Sequence, residues 1–370
     1  MMKYCTKCVM PNTKPGVFFD SRGLCNACRS QELKRNIDWA SRRYEIEQIV
    51  KEVKNKNKSA YDCLVPVSGG KNSWYQAWMM KEVFQMKVLC CVMAPHLPTT
   101  EGIHNLNKMI ESVGLDTIKI TLKPSVIKQL RKKTFFSQGE PNWPEHMTVF
   151  AGVTNVAKIY DVPLIVWGED VAFEFGGIQN QDSQSDASKI NENDLIKDKS
   201  IDDFIDDDIS TRDTFFYRYP ELKIDSNNEI KSIYLGFYDF WDGRKHFELA
   251  RSMGFMSRQN GPLSGNYLDY DNIDEKLCEI NIWFKYIKFG FWRPTDQVCY
   301  DIWNGNLTRE EGVKIVNKLQ DQFPYEYFED FLNFHNISED DFWKTVEKFR
   351  NLDIWKKNSN GEWKLKVPLT

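Results

Sequence analysis

The chain has 370 residues, 41% of them apolar and 28% charged, with 49 Lys plus Arg against 53 Asp plus Glu and a net charge of −4. That balance supports packed cores over about two domains. It excludes a disordered chain and the phosphate-neutralising surface of a non-specific nucleic-acid binder. No run nears the roughly 18 apolar residues of a membrane helix, and the start Met1-Met2-Lys3-Tyr4-Cys5 lacks a secretory signal's apolar region, so a cytoplasmic chain with reduced thiols is expected.

Residues 1–30 are loop-rich and hold four of the nine cysteines, as Cys5-x2-Cys8 and, sixteen residues on, Cys25-x2-Cys28. Two such turns present four thiolates to one ion at about 2.3 Å, and a segment too short for a core needs that staple. Structural Zn²⁺ on Cys5, Cys8, Cys25 and Cys28 is therefore expected. Residues 31–58 read as one linker helix. Apolar strands at 61–67, 87–94 and 162–167 and an extended stretch at 116–121 then alternate with helices at 72–84, 100–113, 124–133 and 145–160. This predicts an α/β fold, a doubly wound parallel sheet with helices on both faces, spanning 59–178. Residues 179–213 carry eleven acidic and four basic side chains between Asp182 and Asp213 and read as a solvated insertion, with a lid over a ligand as the alternative. Residues 214–370 are aromatic-rich and mostly helical, with a capping box at Thr308-Arg309-Glu310-Glu311, another helix start at Ser338 and a terminal hairpin at Asn360-Gly361.

The strongest chemical signal is Val67-Ser68-Gly69-Gly70-Lys71-Asn72-Ser73, directly after a buried strand and opening a helix. Glycines without a Cβ let backbone N–H groups fold around an anion, and the helix N-terminus, Lys71, Ser68 and Ser73 add donors. The loop lacks the GxxxxGK[ST] spacing of a Walker A motif. It resembles the SGGxDS motif of the PP-loop ATP pyrophosphatases, which implies ATP cleavage to AMP and pyrophosphate. The motif's Asp, which in relatives helps hold a Mg²⁺–pyrophosphate unit, is Asn72 here. Asn keeps an oxygen acceptor and loses the charge, which weakens Mg²⁺ binding.

Further segments follow in order: Gly168-Glu169-Asp170, Glu174-Phe175-Gly176-Gly177, Leu235-Gly236-Phe237-Tyr238-Asp239-Phe240-Trp241, and Lys288-Phe289-Gly290-Phe291-Trp292-Arg293-Pro294-Thr295-Asp296. Together with the cysteine head and the loop they resemble the N-acetyl sugar amidotransferase family of lipopolysaccharide O-antigen and pseudaminic-acid pathways, over nearly the whole chain. The resemblance implies conversion of an acetamido sugar, free or nucleotide-linked, to an acetamidino sugar. An adenylated amide is attacked by ammonia, with ATP and Mg²⁺ as cofactors. It implies catalytic roles for Lys71, Asn72, Glu169 and Glu174, and nucleotide contacts at Met93, Ala94 and Gly168. Substrate contacts are implied at Gly176, Gly177, Asp239, Trp241, Lys288, Arg293, Thr295 and Asp296. Trp292 stands where that family's pattern leads one to expect a small residue, which bears on the shape of the pocket.

No nucleophile-elbow cysteine is present, so ammonia is expected from a separate glutaminase with a channel protein; the resemblance implies that this is a glutaminase and cyclase-like pair. A tRNA-thiolation enzyme is the competing reading, and a PP-loop protein with weakened catalysis a third. The first usually needs further reactive cysteines and a basic face, and no CxxC follows residue 28.

Overall fold

The computed structural model describes residues 2–176, 185–190, 199–221, 223–225 and 228–370. Its strands are β1 (Cys63–Pro66), β2 (Val88–Met93), β3 (Asp116–Ile120), β4 (Leu164–Trp167), β5 (Lys223–Asp225), β6 (Asn228–Glu229), β7 (Lys231–Tyr234), β8 (Trp355–Lys357) and β9 (Trp363–Leu365). Five make one sheet in the order β3-β2-β1-β4-β7, with every neighbouring pair parallel.

The near-continuous apolar strands follow from burial on both faces. Cys63, Val65, Cys90, Leu164 and Val166 pack against Trp74, Ala77, Leu106 and Met109 on one face. Leu64, Leu89, Cys91 and Ile165 pack against Val153, Val156 and Ala157 on the other. The expected doubly wound sheet is thus observed. Its helices include Lys71–Trp78, Thr100–Val113, Pro124–Gln138 and Trp143–Ile159. The Thr99 hydroxyl caps the second of these by accepting from the Gly102 N–H at 2.9 Å.

Three expectations change. The stretch 31–58 is not one helix: Asn26–Lys34 and Trp39–Lys56 are separated at Arg35–Asp38, where the Asp38 carboxylate accepts from the Ala40 and Ser41 N–H groups at 3.1 Å and starts the second. The sheet does not stop at residue 178, since β7 adds to β4 from beyond the acidic stretch. The described part of that stretch is not wholly solvated either. Ile201, Phe204 and Ile209 are buried in the aromatic core with Trp143, while Asp202, Asp206 and Asp213 pair outward with Arg218, Lys133 and Lys123. Residues 177–184 and 191–198, Gly177 among them, lie outside the described residues.

The C-terminal region is mostly helical, as expected. Phe135, Phe284, Phe331 and Phe342 stack and edge into one another in its core, and β8 and β9 form the expected terminal hairpin.

Candidate functional site

The chain runs β1, β2, β3 outward on one side and β4, β7 on the other, so the sheet reverses direction between β1 and β4. Ligands of open α/β sheets bind beyond the carboxyl ends of strands at such a point. Two predicted segments meet there: Val67–Gly70 after β1 and Gly168-Glu169-Asp170 after β4. Met93 and Ala94 end the adjacent β2, the Ala94 N–H donating to the Ile120 carbonyl at 2.8 Å.

The loop is held by its own serines. The Ser68 N–H donates to Ser73 Oγ at 3.0 Å and the Gly70 N–H to Ser68 Oγ at 3.3 Å. The Trp74 indole N–H donates to the Gly69 carbonyl at 3.1 Å. Lys71 reaches across to Asp271, and Asn72 Oδ1 lies 3.0 Å from His246 Nδ1. Burial pushes the Asp274 carboxyl above the usual range, with Ser68 on the same side pulling the other way. No local pattern marks Asp271 or Asp274, because their chemistry exists only once the chain has returned from some 200 positions away.

Glu169 is half-buried, and desolvation pushes its carboxyl above the usual range, with Lys71 and Lys34 pulling the other way. Glu174 is different. Both its oxygens lie on Lys34 Nζ, at 2.7 and 2.8 Å, Gln31 donates to it at 3.3 Å, and both charged side chains are 1% exposed. The Lys34 ammonium also donates to the Trp241 carbonyl at 2.8 Å. Glu174 therefore fastens the cysteine-bearing segment to the wall of the crevice.

A cleft of about 400 Å³ opens beside these segments. Of the predicted substrate residues it brings together Gly176, Lys288, Arg293 and Asp296, and adds Lys14, Glu140, His146 and Lys285. Lys288 pairs with Glu140 at 2.8 Å, Lys285 with Asp296 at 3.4 Å and Arg293 with Glu279 at 3.3 Å. Burial pushes His146 down to about 4, so it is neutral at physiological pH. Asp239 and Trp241 lie elsewhere, behind the phosphate loop: Asp239 accepts the Tyr75 hydroxyl, and Trp241 is buried edge-on to His246. Thr295 is buried in the first turn of helix Arg293–Trp303. Trp292 leaves the pocket shape untouched, because its indole turns into the core and donates to the Gln320 carbonyl at 2.9 Å.

The four N-terminal thiols form one buried cluster with all sulfurs within 4.8 Å. Cys5–Cys28 and Cys8–Cys25 are each 3.7 Å apart. Tetrahedral bonds of about 2.3 Å would space sulfurs by about 3.8 Å, so the set fits Zn²⁺. The Cys25 and Cys28 N–H groups, each at 3.3 Å, and the Trp303 indole N–H at 3.2 Å donate to sulfur, as thiolates require. Cys8→Ser is expected to remove one equivalent of zinc by elemental analysis. It should also free residues 2–34 for early hydrogen exchange, since a structural site contributes on the order of 10 kcal/mol. Unchanged exchange in a zinc-free protein would overturn this.

Residues 264–368 match the family model of the LPS biosynthesis protein WbpG-like, C-terminal domain. This stretch is similar to a WbpG-like C-terminal domain. It supplies Asp271, Asp274, Lys288, Arg293 and Asp296, so the domain completes both the crevice and the cleft. A curated relative, the uncharacterized protein MJ1599 of Methanocaldococcus jannaschii, is 28% identical over 113 residues, 30% of this chain and 40% of that protein. The chain thus spans less than half the length of that relative. Among solved structures, an NH3-dependent NAD synthetase from Campylobacter jejuni in complex with the nitrate ion aligns at TM-score 0.31 and 14% identity, over 39% of this chain and 64% of that one. An NMN synthetase from Francisella tularensis aligns at TM-score 0.30 and 12% identity, over 57% and 96%. No helix among the described residues is long and apolar enough to cross a membrane.

Proposed function

We propose that this chain is an ATP-dependent amidotransferase that turns the acetamido group of a surface-polysaccharide sugar into an acetamidino group, releasing AMP and pyrophosphate. The reading is carried by one juxtaposition. The Ser68–Ser73 loop and Glu169 face the same switch-point crevice, and a cleft lined by both cations and carboxylates, several from the WbpG-like domain, opens alongside.

An amide oxygen is a poor leaving group. In the proposed sequence the sugar's carbonyl oxygen attacks the α-phosphorus of ATP, the bond to pyrophosphate breaks, and an imidate–AMP results. Ammonia adds to the imidate carbon, a proton leaves the nitrogen, and AMP departs with the former amide oxygen. The loop amides, Lys71 and Ser73 hold the leaving pyrophosphate. Glu169, its proton affinity raised by burial, is the acceptor for the ammonia proton. Asp271 and Asp274 would supply oxygen ligands to Mg²⁺, which when bound neutralises charge on the departing pyrophosphate. Lys14, Lys288 and Arg293 orient an anionic sugar in the cleft.

In this reading residues 1–30 are a zinc module, 31–58 a helical link and 59–178 the core of the nucleotide domain, with 179–213 an insertion. Ammonia comes from a separate glutaminase. Outside the zinc set, burial raises Cys63 and Cys90 and pushes Cys91 and Cys278 up to about 12, which leaves poor nucleophiles for glutamine hydrolysis. The same burial weighs against thiolation chemistry. Incubation of acetamido sugars with ATP, Mg²⁺ and ammonium should lower the sugar mass by about one unit, oxygen giving way to NH, with AMP formed in step. ADP as the product would overturn the reading, and glutamine serving the purified chain as well as ammonium would overturn the separate ammonia source.

A further inference from the structure

The phosphate loop carries an amide where a carboxylate was expected, and the structure surrounds that amide with a specific support. Asn72 lies in the first turn of the helix Lys71–Trp78, which packs along helix Gly243–Ser252, the bearer of His246. His246 is 1% exposed. Its ring lies flat on Tyr75, with centroids 3.9 Å apart and planes 16° apart, and meets Trp241 edge-on at 4.4 Å. The Tyr75 hydroxyl is anchored on Asp239. The imidazole plane is therefore fixed from two sides, and its Nδ1 lies 3.0 Å from Asn72 Oδ1.

The tautomer follows from the other nitrogen. Among the described residues, His246 Nε2 is buried with no hydrogen-bond partner. An N–H there would lose its hydrogen bond to water outright, whereas a bare ring nitrogen loses less. The proton thus belongs on Nδ1, which donates to Asn72 Oδ1. Burial, with Lys71 and Lys34 nearby, keeps the ring from taking a second proton. Asn72 makes no other side-chain hydrogen bond among the described residues. Its Oδ1 is engaged, which leaves the two Nδ2 donors of this loop residue.

We propose that Asn72 is a neutral hydrogen-bond donor to the phosphate groups held by the loop, and that His246 is the positioning residue that turns its amide toward them. The proposal rests on the nucleotide reading above and specifies what position 72 does within it: it grips phosphate directly and carries no metal. The metal-binding oxygens then come from the carboxylates opposite, Asp271 and Asp274 on the WbpG-like domain. The tyrosine–histidine–asparagine relay also gives Asp239 and Trp241 their work, as supports of the ring.

Binding of inorganic pyrophosphate to the full chain, measured by calorimetry with and without Mg²⁺, tests this. N72D replaces two donors by a charge that repels phosphate. Metal-free affinity should fall by roughly tenfold or more, and binding should become steeply Mg²⁺-dependent. H246A should lower metal-free affinity severalfold by freeing the amide to rotate. H246N, whose side-chain amide can donate from near the Nδ1 position, should recover most of that loss. N72D does not hollow the core, so it tests the proposal even where H246A folds poorly. If N72D binds metal-free pyrophosphate as tightly as the native chain, or more tightly at every Mg²⁺ concentration, Asn72 is not a phosphate donor. If folded H246A binds like the native chain, or H246N no better than H246A, His246 is not its positioner. A native chain that binds neither pyrophosphate nor ATP would instead remove the nucleotide reading itself.

Discussion

Lys34→Ala is expected to destabilise the protein by about 3–5 kcal/mol, because it strands the Glu174 carboxylate in a site where both partners are 1% exposed. A surface pair would contribute less than about 1 kcal/mol. The difference here is desolvation: with its ammonium gone, Glu174 keeps, among the described residues, only the Gln31 amide as a side-chain donor. The loss also reaches the crevice. Lys34 Nζ holds the Trp241 carbonyl at 2.8 Å, and Lys14 Nζ holds the Phe175 carbonyl at 2.7 Å, so two lysines of the cysteine-bearing segment pin the chain on either side of the site. Chemical denaturation of the full chain reads the effect. The double variant Lys34→Met with Glu174→Leu should recover a good part of the lost stability, since removing both charges removes the stranded one. A loss below about 1 kcal/mol for Lys34→Ala would show that the pair does not fasten the segment.

Gly69→Ala is expected to abolish measurable nucleotide binding. Gly69 has φ +93°, in the left-handed region that side chains avoid. A Cβ there would also stand 2.8 Å from the Leu106 backbone nitrogen and 3.0 Å from its Cα, where helix Thr100–Val113 approaches the loop. Neither the backbone nor the helix can yield without moving the Ser68 and Gly70 amides, and strain of this kind costs on the order of 1–3 kcal/mol. Gly70→Ala is the control. Gly70 has an extended, negative φ and would meet only Ser68 Oγ, at 3.4 Å, so it should keep the fold and lose affinity only by crowding the anion. Calorimetric titration with ATP separates the two. Native-like affinity in Gly69→Ala would contradict the geometry.

These positions differ in how far the sequence announces them. The phosphate loop is legible because its strand, glycines, lysine and helix start are contiguous, and the four thiols because their spacing is a coordination geometry written along the chain. The strands within 61–67, 87–94 and 162–167 are legible because strands buried on both faces are near-continuously apolar, whereas the edge strand at 116–121 alternates Ile118 and Ile120 with polar residues. Lys34 is not: in a polar stretch it reads as a surface lysine, and only the folded chain brings Glu174 to it from 140 positions away. The roles of His246, Asp271 and Asp274 are invisible for the same reason. The acidic stretch misleads because its isolated Ile201, Phe204 and Ile209 anchor it while its charges face outward, a pattern with neither the helical nor the strand period. Within the substrate list, cleft walls and buried supports share one motif-like segment; the motif fixes their order along the chain, and side-chain direction then divides them, Arg293 into the cleft and Trp292 into the core.

The Trp292 indole fills the volume where a Cβ on Gly265 would have to sit, and Gly265 itself holds φ +75°. The two positions interlock across 26 intervening places in the chain, and that imposes an order on mutational history. A side chain at 265 is lethal to packing while the indole remains, so 292 must shrink first; shrinking it opens a void that a new residue at 265 cannot fill without also leaving the left-handed backbone. Drift at this pair is therefore blocked in both directions, and a chain that acquired the tryptophan is held to it, whatever happens to the pocket next door.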